Sequence, residues 1–168
     1  MYIDELGAGI QCDIITAMIR RGQAFGATTG AMSVSAAQNV AAVIFNPPNS
    51  GRHVYVYGIQ IPCTGSQVQM GKLAHITADP GWTLVPAILN KNRGSTNPPV
   101  AVVEYNGNVP TGPNQNVTTD MLDVSASSEL QYFQELDDTL LPPGTGIEVW
   151  LPLTGPGAAA VNFDWYEY

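Results

Sequence analysis

The side chains best suited to bind a metal ion are two histidines and two cysteines, namely His53, His75, Cys12 and Cys63. Imidazole and thiolate groups are the usual zinc ligands, and zinc sites place some of them within a few residues of one another. No two of these four residues have such a spacing. We therefore predict no bound metal and no cofactor. The histidines are expected to have structural hydrogen-bonding roles and the cysteines to be small buried hydrophobic residues.

The densest group of acidic residues is Glu135, Asp137 and Asp138. Clustered carboxylate oxygens suit calcium, but this run lacks the glycine and the alternating acids of an EF-hand loop, so we interpret it as a solvated loop. The chain also lacks the motifs of phosphate-binding loops, of hydrolase nucleophile turns and of zinc proteases. No pair of acids stands out as a glycoside-hydrolysing pair. The sequence therefore assigns no catalytic, cofactor-binding or metal-binding residue, and we predict a protein that is not an enzyme.

The net charge of this 168-residue chain is −8, and its charges are unevenly distributed. Residues 1–93 contain all six basic side chains and four acidic ones, whereas residues 94–168 contain ten acidic side chains and no lysine or arginine. Nucleic acids and anionic membrane surfaces both require clustered cations, so neither is an expected partner. The acidic half has two interpretations, which are a solvated surface and an electrostatic polarity used in head-to-tail packing of subunits.

The compartment expected from the sequence is a reducing cytoplasm. No apolar run approaches the length of a membrane-spanning helix, and residues 1–5 carry acids where a signal peptide carries cations. Cys12 and Cys63 are then expected not to form a disulfide, since disulfides persist mainly in oxidising compartments.

The elements that would position these side chains are mainly β-strands. Short apolar runs are separated by turns such as Asn46-Pro-Pro-Asn-Ser-Gly51 and Leu141-Pro-Pro-Gly144. About eight such strands predict an all-β fold, an antiparallel β-sandwich or jelly roll. In the strand over residues 53–61, alternation places Tyr55, Tyr57, Ile59 and Ile61 on one face. The predicted core of the C-terminal strands is Ile147, Val149, Leu151, Val161, Phe163 and Trp165.

The first 31 residues differ from the rest of the chain. Ile10, Ile14, Ala17 and Met18 fall at helical spacing, and a Gly/Ala/Thr stretch over 26–30 follows them. We predict an N-terminal arm or short helix over residues 1–31 and a β-sandwich domain over residues 32–168. The apolar residues of the arm are too many for a solvated tail, so they pack on their own domain or on a neighbouring subunit.

Two groups of aromatic residues have alternative interpretations. Near the C-terminus, Phe163, Trp165, Tyr166 and Tyr168 form either core and sheet edge or a packing surface for another subunit. Tyr55 and Tyr57 lie in the core or form the exposed aromatic face of a carbohydrate-binding module. Clustered histidines for a metal-dependent jelly-roll enzyme are absent from the sequence.

Three segments in order resemble small structural proteins of tailed bacteriophages. They are residues 45–61, with an Asn-Pro-x-x-Ser-Gly turn before a long strand; residues 141–151, with a Leu-Pro-Pro-Gly turn; and the closing strand Val161-Asn-Phe-Asp-Trp-Tyr-Glu167. The resemblance covers about 35 of the 168 residues.

The resemblance implies a non-enzymatic β-sandwich protein of the virion, assembled in the host cytoplasm. We expect a capsid decoration or cement protein that forms a homo-oligomer on the shell, a trimer by analogy with other cement proteins, with the major capsid protein as its partner. The alternative is a tail or adhesin component that contacts tail proteins and binds a host surface or carbohydrate.

Overall fold

The computed structural model describes residues 2–3, 9–10, 14–64, 71–109, 118–122, 131–134 and 140–168. Within these ranges the chain forms one short helix and seventeen strands, so the all-β prediction is confirmed. The helix is α1 (Ile14–Arg20). The strands are β1 (Tyr2–Ile3), β2 (Gly9–Ile10), β3 (Ala24–Thr28), β4 (Met32–Val34), β5 (Gln38–Asn46), β6 (Val54–Ile61), β7 (Cys63–Thr64), β8 (Gly71–Ile76), β9 (Thr83–Leu84), β10 (Ile88–Asn90), β11 (Val102–Val109), β12 (Thr118–Leu122), β13 (Gln131–Gln134), β14 (Leu140–Leu141), β15 (Thr145–Leu153), β16 (Gly157–Ala159) and β17 (Asn162–Glu167).

Two six-stranded antiparallel sheets form the sandwich. Sheet I has the order β10-β3-β17-β6-β13, with β14 also paired to β6, and sheet II has the order β12-β8-β15-β5-β11-β9. A three-stranded sheet, β4-β16-β7, adjoins them, and β1 pairs with β2. Turns rich in proline and glycine separate the strands, as predicted, because these residues cannot continue a ladder.

Eight of the strands pair in a nested way. In chain order these strands are β3, β5, β6, β8, β12, β13, β15 and β17. β3 pairs with β17, β5 with β15, β6 with β13 and β8 with β12, so each pair encloses the next along the chain. The sequence predicted about eight strands in all, whereas the described residues form seventeen, several of them only two or three residues long. The remaining strands are short except β11, which extends sheet II beyond β5.

The core lies between the two sheets. The six residues predicted for it, Ile147, Val149, Leu151, Val161, Phe163 and Trp165, are all buried and at most 4% exposed. Trp165 packs near Phe25 of β3, with 5.8 Å between the ring centroids. The apolar alternation of β15 and β17 therefore marks the inward face of each strand, as expected for antiparallel sheets.

The face prediction for the strand over residues 53–61 was wrong at two positions. In β6, Gly58 pairs with Asp164 but Val56 pairs with Trp165, so Tyr57 is an extra residue, a β-bulge. Because the bulge shifts the alternation, Val54 and Val56 point into the core together with Ile59 and Ile61. Tyr55 and Tyr57 instead lie on the outer face of sheet I.

The segment predicted as an arm or helix contains both a helix and a strand of the sandwich. α1 packs on the outer face of sheet I, where Met18 contacts the Tyr166 cluster. β3 then runs between β10 and β17, and its Phe25 is fully buried. The sandwich therefore begins at Ala24, inside the stretch that composition had assigned to residues 1–31.

Candidate interaction site

The residues considered for metal binding do not converge in the structure. No group of three histidine, cysteine or acidic side chains suited to a metal occurs among the residues with described side chains. His53 is exposed and stacks on Tyr168, and His75 lies half-buried on β8. Cys63 is buried, as predicted, and burial raises the pKa of its thiol. Cys12, Glu135, Asp137 and Asp138 lie outside the described residues.

The C-terminal aromatic residues divide between the two faces of β17. Phe163 and Trp165 are fully buried in the core. Tyr166 faces the other way, beneath α1, and is 5% exposed, whereas Tyr168 is 50% exposed. The core interpretation therefore holds for Phe163 and Trp165, and Tyr168 is the member of this group that is accessible to another molecule.

A row of aromatic rings covers the outer face of sheet I. Tyr166 stacks on Tyr55 at 4.9 Å and on Tyr57 at 6.1 Å between ring centroids, and Tyr168 lies 6.0 Å from Tyr166. Tyr55 and Tyr57 are half-buried and pack against Tyr166 and α1. Their faces are thus largely used within the protein, which disfavours the interpretation as an exposed sugar-binding platform.

Lys91 joins this aromatic row to the acidic side chain of Asp164. Its Nζ lies 2.7 Å from Asp164 Oδ1 and 5.5 Å from the centroid of the Tyr57 ring. Burial by itself lowers the pKa of the Lys91 ammonium, but hydrogen bonds to Asp164 and Tyr57 outweigh it, so the pKa is raised. Lys91 therefore keeps its charge and fixes the loop after β10 against sheet I.

The same loop completes the C-terminus of α1. Gly22 has a φ of 68°, and the amides of Gly22 and Gln23 donate to the carbonyls of Ile19 and Met18, which is a Schellman motif. The next three carbonyls accept side-chain amides of the loop: Asn92 donates to Arg20, Asn97 to Arg21 and Asn90 to Gly22. These bonds hold the loop over residues 91–97 and the helix end in one arrangement.

A shallow groove of about 370 Å³ lies beside β10 and is lined by Ile88, Leu89, Asn90, Asn92, Arg93 and Ser95. Its asparagine side chains already bond the helix carbonyls and the loop's own amides. What the groove offers to another molecule is the apolar side chain of Leu89, which is 70% exposed, and the exposed arginine Arg93. This combination suits a protein surface better than a small polar ligand.

Three exposed arginines of the described chain lie in or near the segments around this groove. Arg52 pairs with Glu167, Lys91 pairs with Asp164, and Lys72 lies over the Trp150 ring. Arg20, Arg21 and Arg93 are exposed and have no ion pair with another described residue. We call Arg20, Arg21, Leu89 and Arg93 the β10 corner.

The acidic half of the chain is not simply a solvated surface, because three of its carboxylates are buried. Glu148 and Glu167 are fully buried and Glu104 is 5% exposed. Glu104 Oε2 accepts the backbone N–H of Trp82 at 2.7 Å. The pKa of Glu104 is raised, mainly because burial disfavours its charged form, and the charge of Asp79 adds to this effect. The hydrogen bond from the Trp82 N–H acts in the opposite direction but does not outweigh burial.

Burial of Glu104 is the main cause of its raised pKa, and the neighbouring Asp79 adds to it. A group whose pKa is higher in the folded than in the unfolded protein stabilises the fold below its unfolded pKa. That contribution is lost as the pH rises through the folded pKa. The raised pKa of Glu104 therefore adds stability at acidic pH, and that stability is lost as the pH rises.

Replacing Glu104 with Gln should raise the free energy of unfolding at about pH 7 and leave it nearly unchanged at about pH 4. Gln keeps the carbonyl oxygen that accepts the Trp82 N–H and carries no charge to be desolvated. Denaturant unfolding at a series of pH values measures this. Asp79→Asn should reduce the same pH dependence. An E104Q protein that is less stable than the original at both pH values would contradict a raised pKa of Glu104 in the folded protein.

Most of these contacts have no signature in the sequence. The asparagines of the loop and the carbonyls they bond are about 70 residues apart in the chain. Lys91 and Asp164 are likewise distant. The available signal was the asparagine-rich composition of residues 90–97, which predicts a structured loop but not its partner.

Comparison with known proteins adds no relative, because no family model, no curated protein and no solved structure matches the chain. In the part of the chain that the structure describes, no helix has the length and hydropathy needed to cross a membrane.

Proposed function

We propose that this protein is a non-enzymatic structural protein of a bacteriophage virion, a capsid decoration protein that forms a homo-oligomer on the shell. The observation that carries the proposal is the nested pairing of eight strands in two facing sheets. We infer from it that the sandwich is a jelly roll, an architecture used by viral capsid domains and lectins. The resemblance of residues 45–61, 141–151 and 161–167 to phage structural proteins supports the same choice.

The surface supports a role in assembly rather than in catalysis. The groove beside β10 has an apolar and cationic lining whose amides are engaged within the protein. Leu84 and Leu89, on the edge strands β9 and β10, are 61% and 70% exposed. Exposed apolar side chains on sheet edges are typical of surfaces that bind another protein.

The alternative within the same class is a tail or adhesin component that binds a host surface or carbohydrate. Lectin domains use jelly rolls as well, and an exposed aromatic face would favour this alternative. Of the four tyrosines in the aromatic row, Tyr168 is the exposed one. We therefore place decoration of the capsid first.

Cryo-EM of purified virions tests the proposal. We expect copies of the sandwich at repeated positions on the outside of the shell, in contact with the major capsid protein. Copies confined to the tail would favour the alternative. Absence of the protein from purified particles would contradict both.

A further inference from the structure

β10 is the last strand of sheet I on its side, and one of its two edges has no partner strand among the described residues. The other edge pairs with β3 over residues 88–90. An open edge of this kind presents N–H and C=O groups that can bind a further strand, so proteins usually protect it with charge, proline or a covering loop. The side chain of Leu89, in the middle of β10, is 70% exposed, so no such cover lies over it.

The register of β10 shows which of its backbone groups point away from β3. The N–H of Lys91 donates to the carbonyl of Ala24, so these two residues form a hydrogen-bonded pair. Hydrogen-bonded and non-hydrogen-bonded pairs alternate along an antiparallel ladder, and Leu89 is therefore the next residue that bonds β3. The N–H and C=O groups of Ile88 and Asn90 face the open edge. They are two residues apart, which is the spacing that a further strand requires.

The groove beside β10 has the size of an extended peptide segment. β10 lines it together with Asn92, Arg93 and Ser95 of the following loop, and its volume is about 370 Å³. The loop is held in place, because the Ser95 N–H donates to the Asn92 carbonyl and the Asn92 side chain donates to the Arg20 carbonyl. The three residues of β10 span about 10 Å at the usual rise of a strand. The groove therefore suits a short strand laid along this edge.

The side chains around the groove indicate the chemistry of such a strand. Leu89 offers an exposed apolar contact. Arg93 lines the groove, and Arg20 and Arg21 belong to the helix end that the loop asparagines bond. All three arginines are exposed and have no ion pair with another described residue. Guanidinium groups bind carboxylates in a two-pronged geometry, so this corner favours an acidic partner.

We propose that the open edge of β10 binds an extended acidic segment of another protein, which joins sheet I as a further strand. The backbone of the segment pairs with Ile88 and Asn90, an apolar side chain contacts Leu89, and carboxylates pair with the arginines of the β10 corner. In this mode of recognition, main-chain hydrogen bonds supply affinity and side chains supply specificity.

Other occupants of the edge fit the same observations less well. A second copy of this chain, paired through its own β10 edge, would bring the arginines of two corners together. Nucleic acid is disfavoured by the net charge of −8. The inference goes beyond the proposed virion function and is tested separately from it, because it concerns the kind of segment that the edge binds and not the particle in which the protein assembles.

The probe for this binding is a fluorescein-labelled heptapeptide in which glutamate and valine alternate. One control peptide has lysine in place of every glutamate. The other has proline in place of every valine, which removes the N–H groups that strand pairing needs. Fluorescence anisotropy with the full-length protein measures binding. We expect saturable binding of the glutamate–valine peptide, weaker by about tenfold or more for either control, and weaker again when NaCl rises from about 50 to about 500 mM.

Two protein variants locate the site. The corner variant carries Leu89→Asn and Arg93→Glu. The matched control carries Leu84→Asn, Ala36→Asp and Asn49→Asp, so it loses the exposed leucine of the other edge strand, β9, and changes the net charge by the same amount. Thermal unfolding shows that each variant keeps its fold, since exposed substitutions change stability little. We expect the corner variant to bind the glutamate–valine peptide about tenfold or more weakly, and the control to bind it like the original chain.

Amide hydrogen exchange distinguishes strand addition from attraction between charges alone. We expect the peptide to slow exchange at the N–H groups of Ile88 and Asn90, which face the open edge. Unchanged exchange at both amides with saturating peptide would overturn the proposal. So would absence of binding at millimolar peptide, equal binding of either control peptide, or an equal loss of affinity in the two variants. An original chain that dimerises in sedimentation velocity while the corner variant is a monomer would show that the occupant is a second copy.

Discussion

Replacing Trp165 with Ala should lower the free energy of unfolding by about 3–5 kcal/mol. The ring is fully buried between the sheets, in the same cluster as Phe25, Phe163 and Val161. Its Nε1–H also donates to Glu167 Oε1 at 3.1 Å, so the substitution removes a buried donor as well as the packing of a large ring. Urea unfolding followed by circular dichroism measures the change.

Tyr168→Ala is the matched control, because Tyr168 is an aromatic residue just after the same strand but half exposed. We expect it to cost well under half as much as Trp165→Ala, since its ring keeps contact with solvent in the folded protein. Equal losses in the two variants, or a loss below about 1 kcal/mol for Trp165→Ala, would mean that Trp165 is not a packed core residue.

The C-terminal core was predictable because its signal is local. β15 and β17 alternate apolar and polar residues between well-marked turns, and the inward residues follow directly from the two-residue period. The same rule failed in β6, where one extra residue at Tyr57 reverses the phase. Gly58 was the local sign of this bulge, because a glycine inside a strand often marks one.

β3 shows why composition alone misplaced the start of the sandwich. Its sequence, Ala24-Phe-Gly-Ala-Thr28, has the small residues of a linker. Two neighbours, β10 and β17, supply the pairing that makes it a strand. A Cβ at Gly26 would lie 2.9 Å from Asp164 Oδ1, so a larger residue there would displace the carboxylate that holds Lys91. Long-range pairing of this kind cannot be read from a local window.

The candidate interaction site was predictable in its charge and not in its geometry. The sequence indicates an electrostatic polarity, since every basic residue precedes residue 94. It does not indicate that Arg52 and Lys91 are paired internally, whereas the exposed Arg20, Arg21 and Arg93 have no ion pair with a described residue. Nor does it indicate that Glu167, near the end of an acidic tail, is fully buried.

Replacing Glu167 with Ala should also lower the free energy of unfolding by about 3–5 kcal/mol, the range for removing one partner from a buried charged network. Its carboxylate accepts the backbone amides of Val100 and Ala101 and the indole N–H of Trp165. Arg52 Nη1 lies 3.2 Å from Oε2. Truncation leaves the two amides and the indole without an acceptor in the interior, and each unsatisfied donor is costly. The carboxylate therefore ties β17 to the segment that leads into β11.

Arg52→Ala is the control for the ion pair alone. The Arg52 side chain is 36% exposed, so its removal should cost at most about 1 kcal/mol, as for other exposed pairs.

Glu167→Gln keeps the shape and one acceptor oxygen of the side chain, so the stability of this variant should fall between those of Glu167→Ala and the original chain. Because Trp165 and Glu167 share a hydrogen bond, the double variant should lose less than the sum of the single losses. If Glu167→Ala costs no more than Arg52→Ala, the backbone amides do not depend on this carboxylate, and the proposed stabilising role of Glu167 is wrong.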